Sequence, residues 1–143
     1  MHFTVEWIER PWLLLFNLEG NFTLTDYEAF TIFRLRYLSK VRKLIYLIYD
    51  WSGIDPNLPP KIIIEMTRVP SYAQLHIGVM ATVSNQAMLD FVASPYGQRE
   101  MKHNGQTAIQ AFATRQEAEH FCRTKAALDR EAETTFTRRQ PPT

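Results

Sequence analysis

An α/β fold, with one mixed and mostly parallel sheet of about five strands flanked by about four helices, is predicted by three features of the sequence. Residues 43–53, KLIYLIYDWSG, carry six consecutive apolar or aromatic side chains into an acidic turn, the pattern of a strand buried on both faces and central in a parallel sheet. Segments of strand character alternate with segments of helical period, as right-handed crossovers between parallel strands require. The chain also opens with two strand-like runs separated by Glu9, Arg10 and Pro11, which reads as an N-terminal β-hairpin.

Taken in order, Phe3, Val5 and Trp7 alternate with Thr4 and Glu6, and after the turn Trp12 to Leu18 forms the second strand, ended by Gly20. Thr25 and Glu28 have the spacing of a capping box, so a helix is expected to run from there to about Val41. Tyr27, Phe30, Phe33, Tyr37, Leu38 and Val41 would form its buried stripe. Arg34, Arg36, Lys40 and Arg42 are expected on a solvated face that complements the negative helix end.

The central strand spans Lys43 to Tyr49 and gives way to a loop over Asp50 to Leu58. Pro59 and Pro60 then mark the first turn of a short helix reaching Val69, with Ile62, Ile63 and Met66 inward. Leu75 to Val83 reads as another buried strand, and Ser84 with Asn85 can cap a helix over about Gln86 to Ala93. Residues 94–105 hold Pro95, Gly97 and Gly105 and read as a polar connection. A last strand covers Thr107 to Ala113, and Thr114 with Glu117 opens a final helix that packs Ala118, Phe121 and Cys122 on the sheet. Apolar periodicity is lost after Asp129, so one domain is expected over residues 1–130, with 131–143 as a frayed or disordered tail.

Composition narrows the function classes. In 143 residues, sixteen basic side chains balance fifteen acidic ones, so there is no global field to attract nucleic acid. Cys122 is the single cysteine, which excludes an internal disulfide and suits a reducing cytoplasm. The N-terminal run has no basic n-region or small-residue cleavage site, so no processing is expected, and no apolar run is long enough to span a bilayer.

Several local sequences, in this order and spacing, resemble the SpoIIAA-like group, relatives of the STAS domain. They are Leu18-Glu19-Gly20-Asn21-Phe22-Thr23, Ile48-Tyr49-Asp50-Trp51-Ser52-Gly53, Ile77-Gly78-Val79-Met80-Ala81-Thr82-Val83-Ser84 and Ala111-Phe112-Ala113-Thr114-Arg115-Gln116-Glu117-Ala118. The resemblance covers about residues 3–128 and implies a non-enzymatic module that binds proteins, nucleotides or lipid-like ligands. It also implies a phosphorylated serine at the start of the helix after the Asp-x-Ser strand. Here Leu58-Pro59-Pro60-Lys61 occupies that place without a hydroxyl, so a phosphorylation switch is not expected.

The candidate binding residues are Asp50, Trp51 and Ser52 at the carboxyl end of the central strand, with Ser84 and Asn85 closing the next one. Asp50 and Ser52 can meet a ligand, or Asp50 can hold the loop as an Asx-turn, the more ordinary role. Trp51 is either an exposed recognition anchor or a cover folded over the sheet end. The four histidines have no metal-ligand spacing, and Cys122 lies on an apolar helical face, so neither a metal, a cofactor nor a cysteine nucleophile is expected. Glycine patterns for phosphate binding or hydrolysis do not occur. The leading expectation is a regulatory or protein-interaction module, self-associating as a homodimer and without catalytic residues. The alternative is a carrier of a small apolar ligand or lipid, held between the sheet and helix 59–69.

Overall fold

The computed structural model describes residues 2–55, 62, 77–103 and 110–139. Its five strands are β1 (His2–Glu9), β2 (Leu13–Gly20), β3 (Ile45–Ile54), β4 (Ile77–Val83) and β5 (Gln110–Phe112). The described helices are α1 (Leu24–Leu38), α2 (Gln86–Ala93), α3 (Pro95–His103) and α4 (Arg115–Arg139). The strands lie side by side in chain order, β1 antiparallel to β2 and every later neighbour parallel. This is the mixed, mostly parallel α/β sheet that the alternation predicts, with the hairpin at one edge and β3 in the middle.

Strand parity divides the core in two. Leu14, Phe16 and Leu18 of β2 and Ile45, Leu47, Tyr49 and Trp51 of β3 face one side, where they meet Phe30 and Leu38 of α1 and Met88 of α2. Leu13 and Leu15 with Tyr46 and Ile48 face the other, against Ala118, Cys122 and Ala126 of α4. Residues 45–51 of β3 are therefore all buried, because helices cover both faces.

β3 runs five residues past Tyr49, so residues 50–54 are strand and not the loop that the acidic turn suggests. The added length is paired: Asn17 lies opposite Asp50, Glu19 opposite Gly53 and Gly20 opposite Ile54. Gly20 has a φ of 94°, a left-handed conformation that suits glycine, and it turns the chain out of β2.

α1 starts two residues earlier than the Thr25 box predicts. Thr23 is the cap: its hydroxyl accepts the Asp26 N–H at 3.2 Å, while the Asp26 carboxylate accepts the Thr23 N–H at 3.0 Å. Thr23/Asp26 and Thr25/Glu28 share a spacing, and the first pair prevails because Phe22 and Tyr27, the staple positions around it, are both buried. The helix ends at Leu38 instead of Val41, where the Ser39 hydroxyl donates to the Arg36 carbonyl. Arg36, Lys40 and Arg42 are exposed, but Arg34 is 3% exposed and is a core residue, its guanidinium over the rings of Phe30 and Tyr49.

Asn85 caps α2 over the expected residues. The polar stretch after it is helical as α3, in spite of its Pro and Gly. The Ser94 hydroxyl donates to the Phe91 carbonyl at 2.6 Å and accepts the Gly97 N–H at 3.0 Å, which closes α2 and opens α3 with Pro95 at the tolerated first position. A Cβ on Gly97 would stand 2.1 Å from the Phe91 carbonyl oxygen, so only glycine fits this close joint.

Thr114 and Glu117 cap α4 as their spacing predicts. The helix continues to Arg139, so the segment expected to be a tail from 131 is helical that far. The described strands β4 and β5 begin at Ile77 and Gln110. The starts predicted at Leu75 and Thr107, the helix predicted at 59–69 apart from Ile62, the end of segment 94–105 and residues 140–143 lie outside the described residues. Ile62 is helical and buried in the α1-side core. No described helix is long and apolar enough to cross a membrane.

Candidate functional site

The carboxyl ends of β3 and β4 bring the five candidate residues to one end of the sheet, where bonds internal to the fold engage four of them. Asp50 is 3% exposed and belongs to the α4 side. Its Oδ1 accepts the Ser52 N–H at 2.9 Å and the Ser52 hydroxyl at 2.6 Å, and its Oδ2 accepts Nε–H of Arg115, the first residue of α4. The Asp50-to-Ser52 loop closure foreseen as an Asx-turn is thus made within a strand. The Arg115 partner, 65 positions away, neutralises a carboxylate that could not otherwise be buried cheaply.

Asn85 uses both ends of its amide. Its oxygen accepts the Met88 N–H at 3.0 Å and its nitrogen donates to the Ile54 carbonyl at 3.1 Å, tying the end of β3 to the start of α2. Ser84 is buried, and its N–H donates to the Phe112 carbonyl of β5 at 3.0 Å. Trp51 is 2% exposed and faces the α1 side beside Tyr49, so of its two possible roles the structure takes the inward cover. Its indole Nε1 finds no acceptor among the described residues.

Further along α4, that helix and the hairpin border a cleft of about 210 Å³ lined by Glu9, Trp12, Arg123, Ala126, Ala127 and Arg130. The Trp12 ring lies 5.5 Å from each of the Arg123 and Arg130 guanidinium carbons. Arg123 also pairs with Glu9 and Glu119, and those carboxylates hold its proton more tightly. Close by, the Tyr46 hydroxyl donates to Asp129 at 2.6 Å, and burial with this bond pushes the phenol up to about 12. These contacts fasten the hairpin and β3 to α4. Arg123 is neutralised by its two carboxylates, whereas Arg130, among the described residues, has the Trp12 ring and no ion pair.

Cys122 is fully buried against the sheet, and burial pushes its thiol up to about 12, so the nucleophilic thiolate is suppressed. Among the described residues, no three His, Cys, Asp or Glu side chains are grouped to hold a metal ion. The pocket expected between the sheet and helix 59–69 lies outside the described residues.

A feature not legible from the buried stripe appears on the other side of α1. Leu24, Ile32 and Leu35 are 49%, 52% and 39% exposed, and at helical spacing they share the face turned away from the sheet. The signal was present in the sequence, since these three fall outside the periodic set that runs from Tyr27 to Val41. No family model, curated protein or solved structure matches this chain.

Proposed function

We propose that this chain is a non-enzymatic protein-interaction module of the SpoIIAA-like kind, which engages its partner through the outward face of α1. The observation that carries the proposal is the exposed apolar set Leu24, Ile32 and Leu35 on a helix whose opposite face is already committed to the core. The carboxyl rim of the sheet supports it from the other direction. Asp50, Ser52 and Asn85 spend their hydrogen-bonding capacity on Arg115, on one another's neighbourhood and on main-chain groups, which suits a scaffold better than a reactive centre.

The test is a photo-crosslinking residue placed at position 32 of the full chain in cells, with position 124 on the exposed flank of α4 as control. A discrete adduct of defined mass at 32 and none at 124 is expected. No adduct at 32, or equal labelling at both positions, overturns the proposal.

A further inference from the structure

The outer face of α1 also carries charge in a self-complementary order. Glu28, Ile32 and Arg36 follow one another at four-residue steps, so they line one row of the helix surface about 6 Å apart along its axis. All three are exposed. Among the described residues, neither Glu28 nor Arg36 takes part in an ion pair within the chain.

Turned end for end, the same row reads Arg36, Ile32, Glu28. A two-fold axis through Ile32 therefore sets each Glu28 at the height of Arg36 from a second copy, and gives two reciprocal ion pairs around an Ile32 to Ile32 contact. A parallel arrangement in register would instead set like charges together and is disfavoured. Leu35 flanks the same seam.

We propose that the partner of α1 is a second copy of this chain, docked antiparallel through α1 about a two-fold axis at Ile32. This inference rests on the reading of α1 as the interaction face and specifies what occupies it. One pair of helix faces buries less than the roughly 1,600 Å² of a standard interface, so the dimer is weak and concentration-dependent.

Sedimentation analysis of the full chain tests it with Glu28→Arg, Arg36→Glu and the double exchange, each checked for native circular dichroism. Wild type is expected to show a monomer–dimer equilibrium, and each single reversal to weaken it about tenfold or more. The double exchange restores it, because the pairs re-form with their signs swapped, and an equimolar mixture of the two single variants forms a heterodimer. A wild-type monomer at all concentrations, a dimer indifferent to the reversals, or a double variant as weak as the singles overturns the proposal. If position 32 crosslinks to a different protein while the purified chain stays monomeric, the interaction module stands and the second copy falls.

Discussion

α1 and α4 seal opposite faces of one sheet with opposite chemistry. α4 lays small side chains, Ala118, Cys122 and Ala126, against the strands and fastens itself with polar contacts from Arg115 to Asp50 and from Asp129 to Tyr46. α1 is held by rings: Phe30 and Phe33 pack on Phe3 and Phe16, and Phe30 also meets Tyr49 edge-on. Their outer surfaces differ accordingly. Among the described side chains α4 exposes one large apolar residue, Leu128, whereas α1 exposes three. A helix with apolar residues on both faces has surface left to bury, and that difference is why the proposed interaction face is set on α1 rather than α4.

The comparison breaks most readily in the ring-packed layer. Phe30 is 2% exposed and touches rings from both β1 and β2 as well as β3. Its replacement by Ala is expected to cost about 3–5 kcal/mol in urea unfolding, through lost transfer energy and the cavity left behind. Cys122→Ala, made at an equally buried site under α4, removes one sulfur atom and is expected to cost only about 1 kcal/mol. Equal losses would show that the two layers do not differ as described.

A smaller effect tests the polar fastening. Arg115→Ala leaves the buried Asp50 carboxylate with only its two bonds from Ser52. Because the guanidinium is about half exposed, the expected loss is about 1–2 kcal/mol, below that of a fully buried pair. Arg115→Lys should recover part of it. An unfolding midpoint unchanged in Arg115→Ala would mean that Ser52 alone satisfies the carboxylate.

These regions were not equally legible in the sequence. The hairpin, the doubly buried β3 and the caps of α2 and α4 follow from local pattern, because alternation, unbroken apolar runs and a Thr or Asn before a helix act within a few residues. Asp50 reads as an acidic turn and the loss of apolar period after Asp129 reads as a helix end, yet each carboxylate is held by a partner distant in sequence, Arg115 for the first and Tyr46 for the second. β3 therefore outruns its acidic turn, and α4 continues beyond its last apolar contact, aided by the Arg123–Glu119 and Lys125–Asp129 pairs along its length. Arg34 escaped in the same way, since a cation stacked on Phe30 and Tyr49 looks, in sequence, like one facing water.

The finest contrast lies at the helix starts, where the Thr23 and Thr114 hydroxyls each accept the N–H three residues on, but only Thr23 also donates its own N–H to the carboxylate of that residue. Each Thr→Ala change is expected to cost about 1 kcal/mol. Acid separates α1 further. The Asp26 carboxyl is held below its usual value, first by the Thr23 N–H and then by its hydroxyl, both of which favour the charged form. A carboxyl lowered on folding stabilises the native state above its unfolded value, about 3.9 for Asp, and this contribution is lost as pH falls through the lower folded value. Asp26→Asn should therefore lower the urea midpoint at neutral pH and flatten its decline below about pH 4. A wild-type and variant pair whose midpoints stay parallel down to the most acidic conditions would show that the box at Thr23 does not anchor α1, and that the ring-packed layer stands on its packing alone.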